Sequence, residues 1–215
     1  MENKDVVYKP NQTIMITNGE VTLVQRKAYN VILQEAQKQV KLDKNQILFN
    51  YSISLLKKKA GIEATDNFHL KKSIDKLKNI SIEMSYENGD WISFNLIAQA
   101  KKQGDLLEIQ LPETIRQAII KNNYYTTIDL LIVKNLTSKY SVILYELAMR
   151  YHKKKIPELS IDQFRELTGT NKYKDKNGKI KNKSYDNFGK LRKDVIEKAI
   201  EEINEKTDII LFYEP

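Results

Sequence analysis

Nine lysines and arginines crowd the stretch from Asn171 to Lys193, against two aspartates. That window carries a charge of +7, close to the +8 of the whole 215-residue chain. Tyr173 and Tyr185 are interleaved with the cations. Cations gathered in one place match a polyanion whose charges are closely spaced, so the chemistry they suggest is the neutralisation of nucleic-acid phosphates.

Other chemistry finds little support. The two histidines, His69 and His152, are far apart in sequence, and there is no cysteine, so neither a disulfide scaffold nor a thiolate metal site is expected. The adjacent Tyr124 and Tyr125 look superficially like a nucleophilic tyrosine pair, but no His-hydrophobe-His cluster accompanies them to hold a metal, and aromatic packing near a domain junction is the expected role. The phosphate-binding pattern G-x-x-x-x-G-K-[ST] is absent, which argues against ATP hydrolysis. Glu201, Glu202 and Glu205 form an acidic cluster that reads as the solvated end of a helix. No catalytic residue, cofactor or metal is therefore expected. The N-terminus lacks a signal peptide and no apolar run approaches the ~18 residues of a membrane span, so the expected compartment is the cytoplasm.

The cationic window must be positioned by regular elements. Leu23 to Val40 has helical spacing, Gln46 to Tyr51 reads as a short strand, and Ser52 caps a helix that Gly61 stops. Asp66 caps the next helix, with Leu70, Ile74 and Leu77 as its buried stripe. The period then changes to two: Ile80, Ile82, Met84 and Tyr86 alternate with polar residues, Asn88-Gly89 signals a tight hairpin turn, and a strand returns from Trp91. A third strand spans Leu106 to Leu111. Helix, strand, helix, helix and hairpin is the order of a winged helix.

The order then repeats. After one short helix near Glu113 to Ile120, Thr137 or Ser138 caps a helix, Ser160 caps another, and a long helix is expected from Ser184 to about Lys206, with a strand from Asp208 to Tyr213 as the one wing strand of this half. Asp66-Asn67-Phe68 and Asp186-Asn187-Phe188 occupy the same step in each half, as do Ser52-Ile53 and Ser160-Ile161. The expected fold is α+β: two tandem winged-helix domains, each a helix-turn-helix with a β-hairpin wing, over residues 1–121 and 122–215.

Helical rotation assigns roles within the last long helix. Phe188, Leu191 and Val195 define its buried side, which turns Lys190 and Lys193 outward and leaves Asn187 on a flank. Lys190 can donate to guanine and Asn187 can pair with adenine, so both are expected to read bases near the Ser184 cap. Lys181, Lys183 and Lys193 are placed for phosphates, and Arg192, beside the buried stripe, for a phosphate reached by snorkelling. In the first half the same rotation exposes Lys71, Lys72 and Lys76, either a second reading head or the polar face of a packed helix.

Three stretches carry a family resemblance: Leu136–Leu147 (LTSKYSVILYEL), Ile156–Leu167 (IPELSIDQFREL) and Ile200–Asp208 (IEEINEKTD). They resemble the initiator replication proteins of theta-replicating, iteron-containing plasmids, and the likeness runs from about Asn18 onward. It implies binding to repeated double-stranded origin DNA, origin opening, recruitment of host initiator and helicase proteins, and a homodimer that represses its own gene. The alternative is a winged-helix transcriptional regulator with no part in replication.

Overall fold

A capping box starts the central helix of the first half. Thr22 Oγ1 accepts from the Gln25 N–H at 3.3 Å, and Gln25 Oε1 accepts from the Thr22 N–H at 2.9 Å. Between Leu23–Leu42 (α1), Ala28, Tyr29, Val31, Ile32, Leu33 and Ala36 are all buried, as a helix covered on nearly every side requires. The computed structural model describes residues 5–14, 21–62, 67–85, 88–121, 125–152, 154–174 and 177–214. The expected cap at Asp66 and the end of the alternation at Tyr86 lie outside them.

The first half follows the expected order with additions. Leu48–Ser52 (β2) leads to Ile53–Ala60 (α2), whose N-cap is Ser52 and whose C-terminal Gly61 takes a left-handed φ of 67°. Asn67–Lys78 (α3) follows, with Leu70, Ile74 and Leu77 buried. Ser81–Ser85 (β3) and Trp91–Asn95 (β4) pair antiparallel, Ile82 opposite Phe94. Gln99–Gln103 (β5), not foreseen from the sequence, forms a second hairpin with Leu106–Gln110 (β6), and β6 also pairs with β2, giving the order β2-β6-β5. Asp105, in the β5–β6 turn, accepts from the hydroxyls of Ser52 and Ser54, both at 2.8 Å, which ties this hairpin to the start of α2.

Glu113–Lys121 (α4) follows. The chain then returns to its N-terminal strand. Tyr125–Asp129 (β7) pairs antiparallel with Val6–Pro10 (β1), Val7 opposite Ile128. Neither strand was expected, nor was the short helix Leu130–Asn135 (α5) that follows. Lys139–Arg150 (α6), capped by Ser138, then packs against both α1 and the end of the chain.

A buried charged cluster marks the α1–α6 contact. Glu146 Oε1 accepts from Lys9 Nζ and from Asn30 Nδ2, each at 2.8 Å, while Oε2 accepts from Arg26 Nη1 at 3.3 Å. The Lys9 and Glu146 side chains are 1% and 0% exposed. Burial lowers the Lys9 and Arg26 pKa values, against the opposing pull of Glu146.

In the second half, Ser160 caps Ile161–Thr168 (α7) through a capping box with Gln163, and Gly169 closes it at φ 65°. The basic loop contains a small hairpin, Tyr173–Lys174 (β8) with Ile180–Lys181 (β9), that the sequence did not announce. The expected single helix from Ser184 is corrected. A 3-10 turn, Lys183–Asp186, precedes the helix proper, which runs through Phe188–Leu191 (α8), a π turn at Arg192–Glu197 and Lys198–Lys206 (α9). The expected strand from Asp208 to Tyr213 is also corrected: the segment forms no strand, and Asn204 on α9 brackets Leu211 by donating to its carbonyl at 3.1 Å and accepting from its N–H at 2.8 Å.

Candidate nucleic-acid interface

The start of the last helix is set by Asn187, not Ser184. Asn187 Oδ1 accepts from the Lys190 N–H at 3.0 Å, the contact of an N-cap. Glycine at 189 suits this cap, since a Cβ there would lie 3.2 Å from Asn187 Oδ1. The carbonyl oxygen that a bidentate contact to adenine needs is therefore already engaged.

Arg165 on α7 holds the approach to that cap. Its Nη2 donates to the Tyr185 and Asp186 carbonyls at 3.1 and 3.2 Å, and its Nη1 to Asp162 at 3.2 Å. Asn182, in the left-handed region at φ 58°, donates from Nδ2 to the Gly169 and Asn171 carbonyls, both at 3.0 Å. Lys172 bridges to Asp186 at 3.0 Å. Together these bonds clamp the basic hairpin to α7 and to the turn before α8. Sequence reasoning missed Arg165 and Asn182. An arginine in an amphipathic helix carries no signal of what it reaches, and Asn182 was hidden among lysines.

Leu191, Val195, Ile196, Ala199 and Ile203 face inward and are buried. Phe188 is half-buried, which corrects its expected place in the buried stripe. Lys190, Arg192 and Lys193 are exposed, as are Glu197 and Lys198. Arg192 does not snorkel along the stripe: its Nε lies 3.1 Å from Glu197 Oε1, with the two side chains 49% and 51% exposed. Lys181 is half-buried on β9, and Lys183 and Ser184 fall in the 3-10 turn. In the first half Lys71 and Lys72 are exposed on α3, whereas Lys76 is half-buried.

Glu202 is not a solvated carboxylate, as the sequence suggested. It accepts from the Thr137 N–H and hydroxyl at 2.7 Å, from the Ser138 N–H at 3.3 Å and from Lys206 at 2.8 Å, tying α9 to the N-terminus of α6. Burial alone would raise its pKa, but the hydrogen bonds from Lys206 and Thr137 oppose that and leave it at about 2. Glu201 and Glu205 are exposed. Tyr125 meets Tyr8 edge-on across the β1–β7 pair, ring centroids 4.9 Å apart, while Tyr124 lies outside the described residues. Among the described residues no three His, Cys, Asp or Glu gather to hold a metal, and no helix is long and apolar enough to cross a membrane.

Two helix-turn-helix units in tandem, the first with strand hairpins after its third helix, define a protein of two winged-helix domains, α+β in class. The chain belongs to the initiator replication protein family. Residues 6–149 match the family model "Initiator Replication protein, WH1", and residues 160–215 match "Initiator Rep protein, WH2". Among solved structures, the crystal structure of the Pi initiator protein in complex with iteron DNA is similar in fold, with a TM-score of 0.67 and 22% identity over 98% of this chain and 90% of that one. No curated protein matches.

Proposed function

We propose that this initiator binds repeated double-stranded origin DNA in the cytoplasm and starts plasmid replication there, without breaking or joining DNA itself. The observation that carries the reading is the basic hairpin and 3-10 turn clamped to the start of the last helix by Arg165, Asn182 and Lys172. A cationic surface fixed beside an exposed helix face suits phosphate contacts that set the helix in register with base edges. Lys181, Lys183, Ser184 and Lys193 take the phosphates and Lys190 reaches into the major groove, while Asn187 serves as the cap that aims them. Lys71 and Lys72 on α3 supply a second, weaker contact from the first half, with Lys76 at its edge. On this reading residues 1–121 and 122–215 are the two DNA-contacting halves. Host initiator and helicase proteins join at the opened origin, and a homodimer on the same DNA surface represses the gene.

The test is twofold. Duplex binding should weaken by orders of magnitude between about 50 and 200 mM salt, because several cations displace counterions; a flat response rejects the phosphate role. A plasmid carrying the repeats should replicate only when the chain is supplied. Repression without replication would favour the regulator reading. Supercoiled DNA incubated with Mg²⁺ or Mn²⁺ should stay intact, and nicking would overturn the non-catalytic reading.

A further inference from the structure

Glutamines on α1 stand where a further strand could pair. β2 lies at the end of the sheet order β2-β6-β5, so one row of its backbone groups faces away from β6. Asn50 belongs to that row. Its N–H donates to Gln39 Oε1 at 2.9 Å, and its carbonyl accepts from Gln39 Nε2 at 2.8 Å. One side-chain amide thus satisfies both groups of one residue, as a neighbouring antiparallel strand would. Gln46 completes the cover: its Nε2 donates to the Leu48 carbonyl and to Gln39 Oε1, each at 2.8 Å.

The other side of the same helix repeats the arrangement. Gln37 is set about 200° around α1 from Gln39. It accepts from the Tyr8 N–H at 3.1 Å and donates to the Tyr8 carbonyl, while Gln34 donates to the Val6 carbonyl at 3.1 Å. α1 therefore occupies the free edges of two separate sheets.

A bare strand edge is a template for another chain, and charge is a common guard against that. The far end of this sheet has such a guard: β5 carries Lys101 and Lys102, both exposed, so two copies of that edge repel each other. β2 has none. Residues 46–52, QILFNYS, contain no charge, proline or glycine, and Ile47 and Leu48 are exposed. That composition favours pairing with an identical segment. Laid antiparallel on itself about Asn50, β2 sets Leu48 beside Ser52 with no like charges to oppose the match. The occupant this edge fits is the same strand of a second copy.

We propose that Gln39 is an autoinhibitory contact, which withholds the β2 edge from β2 of a second copy, with Gln46 as its support. Because the amide is tethered beside the edge, its effective concentration there exceeds that of a second chain in dilute solution. The contact involves neither the basic hairpin nor the last helix, so it acts with or without DNA.

The test is sedimentation velocity of the full chain without DNA over a range of concentrations, for the unaltered chain, Q39A, Q46A and Q39A/L48K. Residue-resolved hydrogen exchange follows the Asn50 amide in the same samples. Q39A should sediment at roughly twice the mass of the unaltered chain or more, and the mass should rise with concentration. Its Asn50 amide should exchange fast in dilute solution and slowly once the larger species forms, because the second strand replaces Gln39. Leu48→Lys puts a charge on the edge, so Q39A/L48K should return to the unaltered mass. Q46A, which leaves Gln39 on Asn50, should associate less than Q39A. The proposal is overturned if Q39A keeps the unaltered mass at every concentration. It is equally overturned if the larger species leaves the Asn50 amide unprotected or survives Leu48→Lys, since the association then runs through another surface. Should Q39A fail to fold, Q46A decides alone: a rise in mass that Leu48→Lys reverses supports the contact, and an unaltered mass rejects it.

Discussion

Asn187 and Lys190 are three residues apart and joined by one hydrogen bond, yet their substitutions should act on different properties. Asn187→Ala removes the cap of α8 and should cost ~1 kcal/mol of stability. Lys190→Ala leaves its own N–H in place and removes only an exposed ammonium, so its unfolding free energy should stay within about ±0.5 kcal/mol of the unaltered chain while duplex affinity falls. Paired urea titrations and binding curves separate the two. A full loss of affinity at Asn187 with no loss of stability would mean that its amide reads a base after all. The neighbouring apolar positions differ in the same way. Leu191→Ala should cost ~2–5 kcal/mol as a fully buried residue. Phe188→Ala should cost less than the ~3–5 kcal/mol of a buried phenylalanine, because its ring is only half-buried. Equal losses in urea would show the two to be equally buried.

At the scale of elements, α9 is held to the start of α6 by Glu202, and that contact is sensitive to acid. Its pKa of about 2 in the fold lies below the ~4.3 of an unfolded glutamate. The carboxylate therefore stabilises the fold fully above about pH 5, and the contribution is lost as the pH falls toward 2. Glu202→Gln should flatten that part of the stability–pH profile, measured by denaturant unfolding at a series of pH values. An unchanged slope would remove Glu202 from the contact. The sequence could not show this clamp. Glu201, Glu202 and Glu205 look alike in a helical pattern, and only the packing of α6 singles out Glu202. Local signals served well where the forces are local: Ser52, Ser138 and Ser160 cap the helices expected of them. Ser184 failed as a cap because Asn187, with glycine two residues on, does the same work one turn later. Strands β1 and β7 are short, and each finds its partner more than a hundred residues away, so neither carries a local pattern strong enough to read. The π turn was invisible for a related reason. The spacing of Leu191, Val195, Ala199 and Ile203 suits an unbroken helix, and Ile196 gives no sign that it too turns inward.

At the scale of the whole molecule, buried charge joins β1, α1 and α6. Glu146 sits on α6 with Lys9 from β1 and Arg26 and Asn30 from α1, all of them buried. Removing its carboxylate leaves two buried cations without an anion. Glu146→Ala should therefore cost ~3–5 kcal/mol, far more than an exposed charge would. Replacing Lys9, Arg26 and Glu146 together by apolar residues of similar size should recover much of that loss, since breaking such a group is worse than dispensing with it. Chemical denaturation of the single and triple variants checks both expectations. A triple variant no more stable than Glu146→Ala would show that the cluster contributes more than charge balance.

The pairing of β1 with β7 also orders events during synthesis. Thr126 bonds to Asn11 across 115 residues, and Glu146 reaches Lys9 across 137. At a ribosome adding ~5–20 residues per second, the first strand waits on the order of ten seconds for its partner. Until then β1 is a bare edge, and Lys9 and Arg26 have no anion to meet. A nascent chain stalled before residue 125 should be readily cleaved by protease near its start, and one released after residue 150 should resist. An initiator whose first strand is paired only after residue 129 has been made leaves few half-finished copies able to compete for its DNA.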